Sequence, residues 1–382
     1  MDPFDDLLRG VRADGAVFGR SVLSPPWALR FTDGASLTLC VPLRGEGWIV
    51  TDGTDETDET EGTAGGAGGD GSRAHRLRLG EAAVVTGPEP FVFTDRPETL
   101  AATAPPLHEV NCGDAWPGEG ARRDVAGELA GHAVGRTVLM AGAYHVPGEV
   151  PRRLLRVLPR VLVVPETEDC TAMRDYLEAQ LTGGAAGRRA AAGPGAAGRD
   201  DGRTCPGPGR PGSQIVLDRL LDWLLVCTLR DWFDRPEADP PGWYLALGDE
   251  VVGHVLRAMH QAPDRPWTLA SLAVEAGVSR TTLAKRFHDL VGESPLAYLT
   301  EWRMALAADL LAEPAATVAS VARQVGYADA FGFSSAFKRV RGVSPSAHRE
   351  RSADRAGTTA GTGTPAPGRS RAARRSPARS GA

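Results

Sequence analysis

Apolar and polar positions follow two different rhythms along this chain, and the rhythm changes near residue 214. Between residues 15 and 143, short runs rich in β-branched and aromatic residues are separated by Gly, Pro and Asp, a pattern typical of strands joined by tight turns. From residue 214 onward, apolar residues recur at the three- and four-residue spacing of one helix face. The pattern predicts a sheet-rich N-terminal part and a helical C-terminal part.

The strands of the N-terminal part are short and numerous, which indicates a barrel or a sandwich. They are predicted at residues 16–18, 27–31, 36–43, 47–50, 75–79, 80–85, 90–93, 107–112 and 136–143. A short amphipathic helix is predicted before them, within residues 3–12. Residues 51–74 are almost entirely Asp, Glu, Thr and Gly, so they cannot bury a core and are predicted to form a disordered insertion between two strands.

Within the helical part, one pattern of residues between Thr268 and Arg349 occurs twice. The two copies are Leu272-Ala273, Gly277-Val278, Leu283, Phe287 and Gly292-Glu293-Ser294-Pro295, then Val321-Ala322, Gly326-Tyr327, Phe333, Phe337 and Gly342-Val343-Ser344-Pro345. They lie 49 residues apart up to the glycine of the turn and 50 apart after it. In each copy a helix ends at a glycine suited to a left-handed C-cap and a second helix follows, which predicts a helix-turn-helix.

Three other helices are predicted around these copies. Residues 214–235 contain a helix that is apolar on more than one side, so we expect it to contact the N-terminal part of the chain or a second copy in a dimer. A helix at 249–261 begins the C-terminal domain, and a helix at 295–312 separates the two copies. The separating helix is expected to place one apolar stripe inward, made of Leu296, Leu299, Trp302, Leu306 and Leu310.

Charge is distributed unevenly along the chain, although the net charge is only -5. Residues 267–351 contain ten Lys or Arg and eight Asp or Glu, and residues 352–382 contain six Arg and one Asp. The only two lysines, Lys285 and Lys338, both fall on the second helix of a helix-turn-helix. This asymmetry suits a nucleic-acid-binding end and a separate regulatory end.

Cysteine usage and hydropathy exclude other classes of protein. The five cysteines form no C-x-x-C pair, so they are interpreted as reduced thiols of a cytosolic protein. The acidic N-terminus does not have the pattern of a signal peptide, and no uncharged apolar run reaches the roughly 20 residues that a membrane helix needs. The histidines are scattered, without the paired His and Glu of a metal site, so no metal and no cofactor is expected.

The second copy, running from Gly326-Tyr327 through Phe337-Lys338-Arg339 to Gly342-Val343-Ser344-Pro345 and Arg349, resembles the signature of the AraC/XylS family of bacterial transcription regulators. One departure is His348, where that family usually has an aromatic residue. The N-terminal runs Trp27–Phe31, Val41–Gly45 and Leu79–Val85 resemble the cupin-type sensor domain of one branch of these regulators.

The resemblance implies an α+β multidomain protein, with a cupin-like β-barrel followed by an all-α DNA-binding domain that contains two helix-turn-helix units. We expect a sensor domain at 1–181, a disordered linker at 182–213, the helix at 214–235, the DNA-binding domain at 249–350 and a disordered basic tail at 352–382. The implied protein is bacterial, cytoplasmic and nucleoid-associated. Its expected partners are double-stranded promoter DNA, a small-molecule effector, RNA polymerase and a second copy of itself.

By the family's pattern, Thr281, Ala284 and Lys285 match base-reading positions of the first recognition helix, and Arg280 and His288 are placed to contact phosphates. In the second recognition helix the outward side chains are small or acidic, so poorer base readout is expected there. The expected DNA-binding residues of that helix are Asp329, Gly332, Ser334, Ser335 and Lys338.

Three alternatives stay open at this point. One is a metal-dependent cupin enzyme with a helical appendage, which the scattered histidines disfavour; another is a structural or partner-binding protein, which the doubled helix-turn-helix disfavours. The third is a thiol-based redox sensor, for which Cys112 is the best candidate residue. Otherwise the effector is expected inside a barrel lined by Trp27, Leu29, Leu39, Val41 and Val84.

Overall fold

The computed structural model describes residues 3–12, 21–52, 73–101, 107–110, 137–146, 148–165 and 213–360. The chain divides into two compact units, Met1–Trp302 and Arg303–Ala382. Several sequence predictions concern residues outside the described ranges: the strand at 16–18, most of the insertion at 51–74, the linker at 182–213, Cys112, and the tail beyond residue 360.

In the N-terminal part of the first unit, the described residues form two five-stranded sheets. The strands are β1 Ser21–Leu23, β2 Ala28–Phe31, β3 Leu37–Arg44, β4 Gly47–Thr51, β5 Arg73–Leu77, β6 Glu81–Thr86, β7 Phe91–Thr94, β8 Leu107–Val110, β9 Thr137–Tyr144 and β10 Val161–Pro165. One sheet has the order β1-β9-β3-β6-β10 and the other β5-β4-β7-β2-β8. Strands β4 and β5 pair antiparallel, with Thr51 opposite Arg73, so the predicted insertion does lie between two strands.

The core between the sheets is apolar and closely buried. Its cluster includes Trp27, Leu29, Phe93, Cys40 and Leu139. The sequence-based list of interior residues is correct for Trp27 and Leu29. It is wrong for the other three residues, Leu39, Val41 and Val84. Each of them is adjacent in its strand, β3 or β6, to a residue of the cluster, and neighbouring side chains of a strand point to opposite faces of the sheet.

That opposite face is covered by a long helix. Among the described residues of the first unit, the α-helices are α1 Pro3–Leu8, α2 Glu149–Leu155, α3 Ser213–Phe233, α4 Gly242–Leu245, α5 Val252–Gln261, α6 Leu269–Glu275 and α7 Arg280–Val291, followed by the start of α8 Pro295–Leu311. Leu39 pairs in register with both Val84 and Gly142. A Cβ built on Gly142 would lie 2.6 Å from Leu221 Cδ1 of α3, so α3 packs directly on this face. The apolar side of α3 is therefore buried against the sheet.

Helix α1 connects the N-terminal end of the chain to the helical part of the same unit. The Nδ1 atom of His260, on α5, lies 3.0 Å from Asp6 Oδ2, and its Nε2 atom lies 2.8 Å from the Tyr298 hydroxyl. The His260 ring also stacks on Trp302 with centroids 3.9 Å apart. Only 1% of the His260 side chain is exposed, so these contacts satisfy a buried imidazole.

The second compact unit begins within α8 and continues with α9 Val318–Gln324, α10 Ala330–Arg341 and α11 Pro345–Ala360. His348 on α11 lies with its ring 5.5 Å from that of Phe337 and its Nε2 atom 3.2 Å from the Ala308 carbonyl oxygen. This residue therefore takes the packing role of the aromatic residue it replaces. Helix α11 runs to Ala360, past the predicted start of the tail at residue 352, because no proline interrupts it before Pro365.

Candidate nucleic-acid interface

The first helix-turn-helix unit is built by local capping. Thr268 Oγ1 accepts from the Ser271 amide and Ser271 Oγ accepts from the Thr268 amide, which forms a reciprocal capping box at the start of α6. Gly277 adopts a left-handed φ of 68° in the turn, and the Val278 amide donates to the Ala273 carbonyl oxygen. Ser279 then caps α7 by accepting from the Thr282 amide. The start of α6, the turn and the start of α7 are therefore each fixed by hydrogen bonds between residues that are close in sequence.

The second helix-turn-helix unit has the same capping box and glycine turn at the matching positions of its sequence. Thr317 and Ser320 form the capping box of α9, 49 residues after Thr268 and Ser271. Gly326 has φ 79°, and the Tyr327 amide donates to the Ala322 carbonyl oxygen. Asp329 replaces Ser279 as the cap of the following helix, 50 residues later. The repeat seen in sequence is therefore a repeat of backbone geometry.

Each unit has its own apolar core behind the second helix. In the first, Leu272, Leu283 and Phe287 are buried together with residues of α5. In the second, Val321, Phe333 and Phe337 form the corresponding cluster. Burial of one face of α7 and of α10 leaves the opposite face of each helix in solvent, as a recognition helix requires.

The exposed face of α7 is basic, and the residues that the sequence places outward on this helix lie on it. Arg280, Thr281, Lys285 and His288 are exposed, and Ala284 is half-buried beside them. Lys285 is 77% exposed, and its ammonium group donates to Asp289 one turn later over 2.6 Å. Such an exposed i,i+4 pair holds the side chain only weakly, so Lys285 can exchange Asp289 for another acceptor.

Arg286, whose role the pattern leaves ambiguous, is part of the scaffold. Its guanidinium group lies 2.6 Å from Asp249 Oδ2, and Asp249 Oδ1 also accepts from the amides of Val251 and Val252 at the start of α5. Partial burial opposes ionisation of Asp249, but the hydrogen bonds from Val252, Arg286 and Val251 outweigh it and lower its pKa. This ion pair joins α7 to α5.

On α10, two of the residues predicted to contact DNA also bond to the backbone of their own helix. Asp329 Oδ1 accepts from the amides of Phe331 and Gly332, so this carboxylate acts as a helix cap. The Ser334 hydroxyl donates to the Ala330 carbonyl oxygen one turn earlier. The sequence pattern did not predict the cap at Asp329, because it did not fix the first residue of the helix. The remaining predicted residues, Gly332, Ser335 and Lys338, are exposed.

Sequence reasoning missed Phe331. This residue is 85% exposed in the first turn of α10, although Phe333 and Phe337 of the same helix are fully buried. It follows Thr281 of the first unit by 50 residues, and that spacing was the signal that could have identified it.

The described residues offer little other chemistry. Within them, no group of three or more His, Cys, Asp or Glu is arranged to hold a metal ion. Cys40 and Cys227 are both buried, and burial, with the nearby charge of Asp33, raises the pKa of the Cys40 thiol. Neither has the exposed thiolate of a redox sensor. The helices of the described ranges include none long and apolar enough to cross a membrane.

Comparison with known proteins agrees with both parts of the fold. A cupin family model matches residues 2–193 and 207–234, which is more than half of the chain, and a helix-turn-helix domain model matches residues 272–351. A putative AraC-like transcription regulator from Streptomyces lividans is 45% identical over 138 residues. The chain belongs to the cupin family, and its C-terminal domain is similar to the helix-turn-helix domain of AraC-like transcription regulators. The cupin match includes α3, the helix that covers the outer face of the sheet.

Other transcription regulators show similar coverage. The regulator AlkR from Acinetobacter baylyi is 36% identical over 143 residues. These matches cover 36% and 37% of this chain and 45% and 46% of the relatives, so the chain spans about half the length of the curated relatives it matches. The solved DNA-binding domain of AdpA, in complex with a target DNA, is 29% identical and covers 28% of this chain and 96% of that domain, with a TM-score of 0.27.

Proposed function

We propose that this AraC-like chain binds specific sites in double-stranded promoter DNA and regulates transcription in response to an effector sensed by its cupin domain. The observation that carries the proposal is the matched pair of helix-turn-helix units, each presenting the solvent-exposed face of a capped helix. In the first unit that face offers Arg280 and His288 to phosphates and Thr281, Ala284 and Lys285 to base edges. The named relatives are transcription regulators, which favours this role over that of a cupin enzyme.

The sensing role is assigned to residues 1–181 together with the helix at 214–235, and DNA binding to residues 249–350. A small organic effector is the favoured signal because the core between the sheets is apolar. Thiol sensing through Cys112 is the alternative; it is supported only by the position of that cysteine in the sequence, next to a strand. RNA polymerase is the expected partner at the promoter, and the expected location is the cytoplasm, at the nucleoid.

Dimerisation through α3 forms part of the proposal. The side of this helix that faces away from the sheet carries three exposed apolar residues, Ile215, Trp223 and Val226. Leu221 and Leu225 of the same helix are fully buried, so the helix is already anchored when its outer side meets a partner. A second copy of the same helix would cover these residues.

Footprinting of the full chain on its own upstream region, with and without candidate effectors, tests the function. We expect protection of a defined sequence at moderate salt against excess competitor DNA, and a change in that protection with the correct effector. Binding that shows no preference for any sequence over competitor would refute regulation by specific DNA binding. A footprint that responds to oxidant, and no longer does so in Cys112→Ser, would replace the small-molecule effector with a thiol sensor.

A further inference from the structure

We propose that Phe331 is a specificity residue of the second helix-turn-helix unit, and that it reads the C5-methyl group of thymine in the major groove. The inference rests on the proposed DNA binding and names the base chemistry that the second unit recognises.

The backbone at Phe331 is held firmly in the first turn of α10. Its amide donates to Asp329 Oδ1 over 2.9 Å, and the adjacent Gly332 amide donates to the same oxygen over 2.7 Å. The core side of α10 is occupied by Phe333, Ala336 and Phe337. The exposure of Phe331 therefore follows from helix geometry, since its position in the first turn points away from this core.

The repeat places Phe331 at a base-contacting position. Thr281 has the same position in α7, counted from Ser279 as Phe331 is counted from Asp329. The N-terminal half of a recognition helix is the part that meets base edges in the major groove. An exposed aromatic side chain at this point faces DNA when the unit binds.

The ring of Phe331 projects beyond its neighbours at this end of the helix, because the residues around it are small. Ala330 and Gly332 flank it, and Ser335 follows one turn later; all three have small side chains or none. Small neighbours let the helix approach the groove closely, so the ring can reach the floor. The apolar group that base pairs present in the major groove is the thymine methyl, and contact between Phe and this methyl is a known form of readout.

The two units therefore have complementary preferences. The first offers Lys285, a donor suited to guanine O6 and N7, and the second offers an apolar ring suited to thymine. An operator for this chain is expected to contain guanine under the first unit and thymine under the second.

Replacing thymine with uracil removes only the methyl group, so it tests the contact directly. The full chain is titrated against its footprinted operator and against operators with one thymine at a time changed to uracil in the segment under the second unit. We expect wild-type affinity to fall about fourfold at one or two positions, the factor that corresponds to one buried methyl group. Phe331→Ala should bind the thymine operator as weakly as wild type binds the uracil operator, without distinguishing the two.

Val274→Ala is the matched control, because Val274 is 81% exposed on α6, outside the recognition helices. It should keep the wild-type preference for thymine over uracil. The proposal is overturned if Phe331→Ala keeps that preference, or if it lowers transcription while leaving DNA affinity unchanged, which would identify a protein contact instead. If the wild type gives no footprint at all, the proposed DNA binding itself is refuted. If the wild type binds a specific operator but binds the uracil versions of it equally well, only the thymine contact is refuted.

Discussion

Lys285 and Arg280 occupy the same exposed face of α7, but we assign them to different parts of the DNA. Lys285 matches a base-reading position, so Lys285→Ala should relax specificity at one base pair at a cost of about 1–3 kcal/mol. Arg280 is assigned to a phosphate, so Arg280→Ala should weaken binding to all sequences evenly and reduce the salt slope by about 1. Binding isotherms on the operator and on point-mutated operators, each at several salt concentrations, measure both effects.

The two variants serve as controls for each other, because both residues are exposed and neither loss disturbs the core. Equal behaviour of the two variants, with the same salt slope and the same specificity, would contradict our division into base and phosphate contacts.

At the level of single residues, the sequence predicted exposure well on α7 and less well on α10. Helical periodicity correctly placed Leu283 and Phe287 inward and Lys285 outward. The role of Asp329 as an N-cap was not predicted, because an N-cap can be recognised only when the first residue of the helix is known. Phe331 was overlooked because apolar residues are normally counted as core.

At the scale of elements, α3 provides a direct test of the packing. Leu221 is fully buried against the sheet at Gly142, so Leu221→Ala should destabilise the chain by about 2–5 kcal/mol. Val226, on the outer side of the same helix, is partly exposed, and Val226→Ala should change stability by only about 0.5 kcal/mol. Denaturant unfolding at low protein concentration separates the two, and similar losses would mean that α3 does not pack through Leu221.

The elements themselves were largely predictable, but the faces they bury were not always so. Strands β3 and β6 are covered on both faces, so almost all of their residues are apolar. Such a run does not show which of its residues line the space between the sheets. In α8 the predicted stripe fails at Leu296, which is exposed, while Tyr298, Met304 and Ala308 are buried. A helix with neighbours on several sides does not show one apolar stripe.

At the scale of the whole molecule, the contact between Asp6 and His260 spans 254 residues of sequence. Asp6→Ala would leave a buried imidazole N–H without its acceptor, so we expect a loss of about 1–3 kcal/mol. Asp5→Ala is the control, since Asp5 is exposed on the same helix. Thermal unfolding should rank the proteins as wild type, then Asp6→Asn, which keeps an acceptor oxygen, then Asp6→Ala; a wild-type melting temperature in Asp6→Ala would contradict the role of this contact.

This contact could not be predicted from the sequence, because a lone histidine and an aspartate so far apart share no pattern. The same holds for Arg286 and Asp249, which are 37 residues apart and join α7 to α5. Local rules predict helices, turns and caps, but contacts between distant elements depend on how those elements pack.

The capping boxes of α6 and α9 have a consequence for how such a protein evolves. Every hydrogen bond in them joins residues three apart, so the start of each helix-turn-helix is secured without help from the groove-facing side chains. Substitutions on that outer face can therefore accumulate while the backbone stays in place. The caps of the second helices already differ, serine in the first copy and aspartate in the second, while the glycine turn before each keeps the same left-handed backbone.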